Sequence, residues 1–162
     1  MEAWARFVET LADELADTTD LEHAVRITLR LGLAAVFGLL LGFEREHRGK
    51  AAGIRTHMMV AVGSALFVIA PSLSGSEEDA MSRVIQGIVA GVGFLCAGTI
   101  LKSEDNRDVK GLTTAAGVWL TAAIGIACGL GSILIALLGT LLGLGILNIV
   151  PRLVDRSERN PS

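Results

Sequence analysis

The chain has 162 residues, a net charge of −3, 51% hydrophobic and 19% charged residues and a mean hydropathy of +0.56. That balance excludes an ordinary soluble domain, and the length leaves room for one membrane bundle but no sizeable soluble domain beside it. The lipid bilayer is the expected surrounding, and nothing in the charge points to a nucleic-acid partner.

In chain order, Trp4, Phe7, Val8, Leu11 and Leu15 recur at helical spacing while Glu2, Glu9, Asp13 and Glu14 fall largely elsewhere. This predicts an interfacial amphipathic helix within residues 1–22. A charged n-region, an uninterrupted apolar core and a small-residue cleavage site are missing from the first thirty residues, so insertion is expected to use the first true span. The membrane portion is expected over 23–151, with a short polar tail at 152–162.

The first uncharged stretch, 32–43, is too short to cross and must borrow residues from about Val25 onward, Arg26 and Arg30 among them. Both arginines are expected to snorkel outward. Arg30 lies about 20 Å from Phe43 along a helix, and the alternative for it is an acceptor inside the bundle.

Residues 44–57 carry six charges, on Glu44, Arg45, Glu46, Arg48, Lys50 and Arg55, together with His47 and His57. Such an island between apolar stretches predicts a loop at one membrane face. If the helix instead continues past Phe43, Glu44 with Arg48 and Glu46 with Lys50 are i,i+4 pairs, and Gly49 and Gly53 end it.

Further uncharged stretches cover 58–76, 84–101 and 111–151. The last is too long for one span and is expected to break at Gly129-Leu-Gly-Ser132, giving helices near 112–128 and 133–150. The fold class is therefore all-α, a polytopic membrane protein of five transmembrane helices preceded by a short amphipathic helix. Ten of the fourteen Lys and Arg residues fall in the 44–57 loop, the loop after Leu101 and the tail, which predicts N-out and C-in. Glu77, Glu78 and Asp79 read as a solvated external loop.

All nineteen glycines lie between Gly32 and Gly145, with G-x-x-x-G spacings at Gly38/Gly42, Gly87/Gly91, Gly125/Gly129 and Gly139/Gly143. Close helix packing within one chain is favoured at each over dimerisation, although a homodimer stays open. Gly53-Ile-Arg-Thr56 and Gly111-Leu-Thr-Thr114 each close a charged loop and open a span, a faint parallel repeat. Cys96 and Cys128 lack CxxC spacing and read as small packing residues, and the histidines as boundary residues. No catalytic, nucleotide-binding or zinc motif is present, so no enzyme and no cofactor are expected, and a metal site is undetermined.

Two segments carry a family resemblance: residues 44–64 (EREHRGKAAGIRTHMMVAVGS), and residues 91–100 (GVGFLCAGTI) with 109–116 (VKGLTTAA). They resemble the MgtC/SapB family of bacterial inner-membrane proteins over roughly residues 29–150. The resemblance implies five spans, adaptation to low magnesium, intracellular survival and virulence, and regulation of other inner-membrane proteins, the F-type ATP synthase among them. Small Mg²⁺ or other ion transport is the alternative. Cys96 stands where the family pattern has glycine, Asp108 where virulence-associated members carry asparagine, and the C-terminal ACT-like domain of those members is not expected. Residue by residue, Glu44, Arg45, Glu46, Arg48, Lys50, Arg55, Thr56 and His57 would form one cytoplasmic-face site. Asp108 and Lys110 would join it, and Gly93, Gly98, Thr99, Gly111, Thr113 and Thr114 would let helices approach and hydrogen-bond across.

Overall fold

The computed structural model describes residues 1–16, 21–73, 78–102 and 109–158. The elements are α1 (Glu2–Ala16), α2 (Leu21–His47), α3 (Ile54–Leu73), α4 (Glu78–Thr99), β1 (Leu101–Lys102), β2 (Val109–Lys110), α5 (Leu112–Gly129) and α6 (Ile133–Glu158). Helices α2 to α6 are all long and apolar enough to cross a membrane, as the uncharged stretches predict. The two-residue ladder that pairs Leu101 with Lys110 and Lys102 with Val109 between α4 and α5 was not foreseen.

Helix α1 forms where the apolar spacing predicts it. Trp4, Phe7 and Val8 remain exposed, with the Trp4 and Phe7 rings 5.6 Å apart. An apolar stripe left bare in this way suits the boundary of a bilayer.

Helix α2 starts at Leu21 and runs 27 residues, about 40 Å at helical rise against ~30 Å of hydrocarbon. Both ends therefore project, which accommodates Glu22 and Arg26 at one end and residues 44–47 at the other. The helix stops in a Schellman turn: Gly49 takes φ 62°, its N–H donates to Glu46 O, and the Lys50 N–H donates to Arg45 O. Helix α5 ends the same way at Gly131, φ 81°, with Gly131 N–H on Cys128 O and Ser132 N–H on Ala127 O. The expected break at 129–132 is thus a glycine-closed turn that reverses the chain into α6.

Helix α3 lies between α2 and α5. A Cβ on Gly38 would come within 2.8 Å of His57 O, and one on Gly42 within 2.6 Å of Ile54 Cα. On the other side, a Cβ on Gly125 would overlap the Ala61 carbonyl, and one on Gly129 would sit 2.7 Å from Ala65 O. Residue numbers fall along α2 and rise along α5 as they rise along α3, so α2 packs antiparallel and α5 parallel to it. Ala61 and Ala65 are completely buried at these crossings, where small side chains on both partners let the backbones meet. Around them lie Ala34, Phe37, Leu41, Ile124, Cys128 and Ala136 as one core cluster; Val68, Ile88, Val92, Val118 and Ala122 form a second that reaches α4.

Arg30 departs from the snorkelling expectation. Its Nη1 donates to Gly129 O at 2.8 Å, 99 residues away. The reason lies in α5, whose last carbonyls lack intrahelical partners. Backbone donors take those of Ile126, Ala127 and Cys128, and the guanidinium takes the remaining one at the negative end of the helix.

Candidate functional site

The charged island is mostly helix rather than loop, because α2 carries residues 44–47 and α3 begins at Ile54. Only residues 48–53 connect them, with Ala52 buried in the second core cluster. Helix α2 places Glu44 and Arg45 inward, 8% and 2% exposed. Arg45 donates to Glu44 Oε2. Arg48, one turn on, brings Nε to 2.6 Å from Glu44 Oε1, a charge contact without an aligned hydrogen bond to that oxygen. Arg48 Nη2 also donates to Asn148 Oδ1 at 3.1 Å, and Asn148 Nδ2 donates to Leu144 O at 2.9 Å. One carboxylate thus neutralises a buried guanidinium and ties α2 to α6.

Glu46 does not pair with Lys50 as the helix-extension reading expects. The helix ends before Lys50, and Glu46 Oε2 instead accepts the Ile54 N–H at 2.9 Å. That bond satisfies a free donor at the start of α3 with a carboxylate at the positive helix end. A side chain on Gly53 would collide with this carboxylate.

His57 lies in the first turn of α3. It is fully buried, with Nδ1 2.9 Å from Gly53 O. A carbonyl only accepts, so the ring must donate through Nδ1. Nε2 has no partner and faces Gly117, where a Cβ would stand 3.5 Å away. Lys50, Arg55 and Thr56 are exposed at the same end of the bundle, and Arg55 forms no ion pair among the described residues.

The second half of the predicted site divides. Gly111 is tightly placed: it caps α5 with φ 94°, and a Cβ there would overlap the Thr99 carbonyl. Thr114 is buried, while Thr113 and Lys110 are exposed. Gly93 and Gly98 do not mediate close approach, since a Cβ at either meets nothing within 4 Å. Thr99 donates to Cys96 O in its own helix rather than to a neighbour. Asp108 lies outside the described residues.

Two interhelical links escaped the sequence reading, Arg48 to Asn148 and Cys96 Sγ–H to Ala115 O at 3.2 Å, which joins α4 to α5; for Arg30 an acceptor inside the bundle was the alternative, but not its identity as Gly129. A lone Asn in an otherwise apolar span is a signal that could have flagged Asn148. Among the described residues no three His, Cys, Asp or Glu side chains gather as a metal site. The arrangement offers a rigid, internally neutralised charge cluster beneath an exposed basic rim.

The MgtC family pattern matches residues 31–156. Among curated proteins, the chain is 43% identical over 125 residues to Protein SrpB of Synechococcus elongatus, covering 70% of this chain and 69% of that protein. It is 39% identical over 135 residues to the "Putative magnesium transporter YhiD" of Escherichia coli, covering 79% and 62%. It is 49% identical over 100 residues to Protein MgtC of Brucella abortus, covering 62% and 41%. The matches thus span from about two fifths to about two thirds of these relatives. No solved structure matches.

Proposed function

The chain belongs to the MgtC family, and we propose that it is a multi-pass protein of the bacterial inner membrane that serves magnesium homeostasis by regulating membrane partners. Residues 23–151 form its membrane domain, N-out and C-in, and the basic rim at the cytoplasmic face is the contact surface. The observation that carries this reading is the division of charge. Glu44, Arg45, Arg48 and Glu46 are engaged within the fold, whereas Lys50, Arg55, Thr56 and Lys110 are exposed and fit the acidic groups of a partner. By the family resemblance, the F-type ATP synthase is one such partner.

The double variant Lys50→Glu, Lys110→Glu tests it without touching the buried pairs. It is expected to insert normally and to lose membrane proteins that co-purify with the unaltered chain. Retention of every partner would overturn the reading.

Ion transport is the second reading, supported by the name given to YhiD. Mg²⁺ uptake into proteoliposomes above empty vesicles decides for it, and background uptake by correctly inserted protein decides for regulation.

A further inference from the structure

An apolar groove of about 630 Å³ runs between α3 and α4, lined by Met59, Gly63 and Phe67 on one side and Gly87, Gly91 and Leu95 on the other. A volume of that order is typical of small-molecule sites, roughly 300–1,000 Å³. The groove exists because its glycines are unmet: a Cβ on Gly63, Gly87 or Gly91 would find no atom within 4 Å. Its length fits one leaflet. From Val84 to Leu95 the lining of α4 rises about 16 Å, roughly half of a ~30 Å hydrocarbon core.

The two mouths differ in charge. At the α2–α3 end, Arg55 precedes Met59 by one helical turn and Thr56 precedes Val60 by one turn; both are exposed, and Arg55 has no ion pair among the described residues. Glu46, the nearest carboxylate in sequence outside the buried cluster, is committed to the Ile54 N–H. At the other mouth, Arg83 stands beside Val84, with the carboxylate of Asp79 one turn away on α4. Among the described residues, one end therefore presents a cation without an ion pair, and the other a cation with its counter-charge at hand.

We propose that this groove binds one acyl chain of an anionic phospholipid, with its phosphate at Arg55, in the leaflet that Arg55 faces. The tail fills a slot that bulk lipid would otherwise enter only transiently, and the guanidinium selects the headgroup by charge-assisted hydrogen bonds. Bound there, the lipid adds contacts between α4 and α3 beside the side-chain cluster that already joins them.

The test uses the full chain reconstituted in vesicles of equal parts phosphatidylglycerol and phosphatidylcholine with identical tails. After extraction in mild detergent, retained lipid is counted by native mass spectrometry. One phosphatidylglycerol is expected in preference to phosphatidylcholine. Arg55→Gln should lower that preference about fivefold, the effect of one interfacial cation, and Arg83→Gln should leave it unchanged. Gly91→Leu should lower retention of both lipids to the level of bulk lipid, since the groove has room for the side chain and the fold is left intact. The proposal is overturned if Arg83→Gln and not Arg55→Gln removes the preference, or if Gly91→Leu leaves retention unchanged. It is equally overturned if the chain purifies as a dimer that Gly91→Leu separates, which would put a second copy in the groove.

Discussion

Helix α3 meets its neighbours in opposite ways: glycines of α2 and α5 pack tightly on it, whereas glycines of α4 beside it do not. Glycines from α2 and α5 press on α3 from both sides, so Gly38, Gly42, Gly125 and Gly129 have almost no room for a methyl group. Along α4, Gly87, Gly91, Gly93 and Gly98 face open space. The same residue at the same spacing sets a close contact in one place and leaves a vacant face in the other. What differs is the opposing surface: Ala61 and Ala65 meet the α5 glycines, whereas among the described residues no atom lies within 4 Å of a Cβ placed on the α4 glycines.

Breaking the clamped side should have the largest effect. Gly125→Leu drives a side chain into the Ala61 carbonyl and is expected to cost about 4 kcal/mol or more, at the severe end for one substitution. The check is whether folded protein survives mild heating in detergent. Next comes the charged end of the same clamp. Glu44→Gln leaves Arg45, 2% exposed, without its counter-charge, at an expected cost of about 3–5 kcal/mol; a lowered unfolding midpoint with unchanged insertion is the predicted result. The smallest effect belongs to the open side. Gly87→Ala should shift stability by no more than about 1 kcal/mol, toward greater stability, because alanine favours helix and meets no neighbour. A severe loss there would mean that α4 is covered in a way this chain alone does not show.

Much of the fold is legible in the sequence because span length and turn glycines are strong local signals. The break near Gly131 and the count of five long apolar helices both follow from them. At the charged end the extension of α2 to His47, its Glu44–Arg48 pair and its stop at Gly49 follow the helix-continuation reading, while the burial of Glu44 with Arg45, which lets a helix carry charge beyond the hydrocarbon, was not legible. The engagement of Glu46 with Ile54 depends on where the turn places α3, which no periodicity reports. Gly93 and Gly98 look like Gly125 in sequence, and only the identity of the facing helix separates them. Arg30 illustrates the limit most clearly, since its acceptor is a backbone carbonyl, and every residue has one.

That last contact also sets a timetable. Gly129 follows Arg30 by 99 residues, so at about 5–20 residues per second the ribosome needs roughly 5 to 20 s to supply the acceptor after the arginine has emerged. During that interval the first span must keep its deepest cation in water or among headgroups. Capture by α5 comes later, which makes the arginine a marker of completed assembly rather than of first insertion.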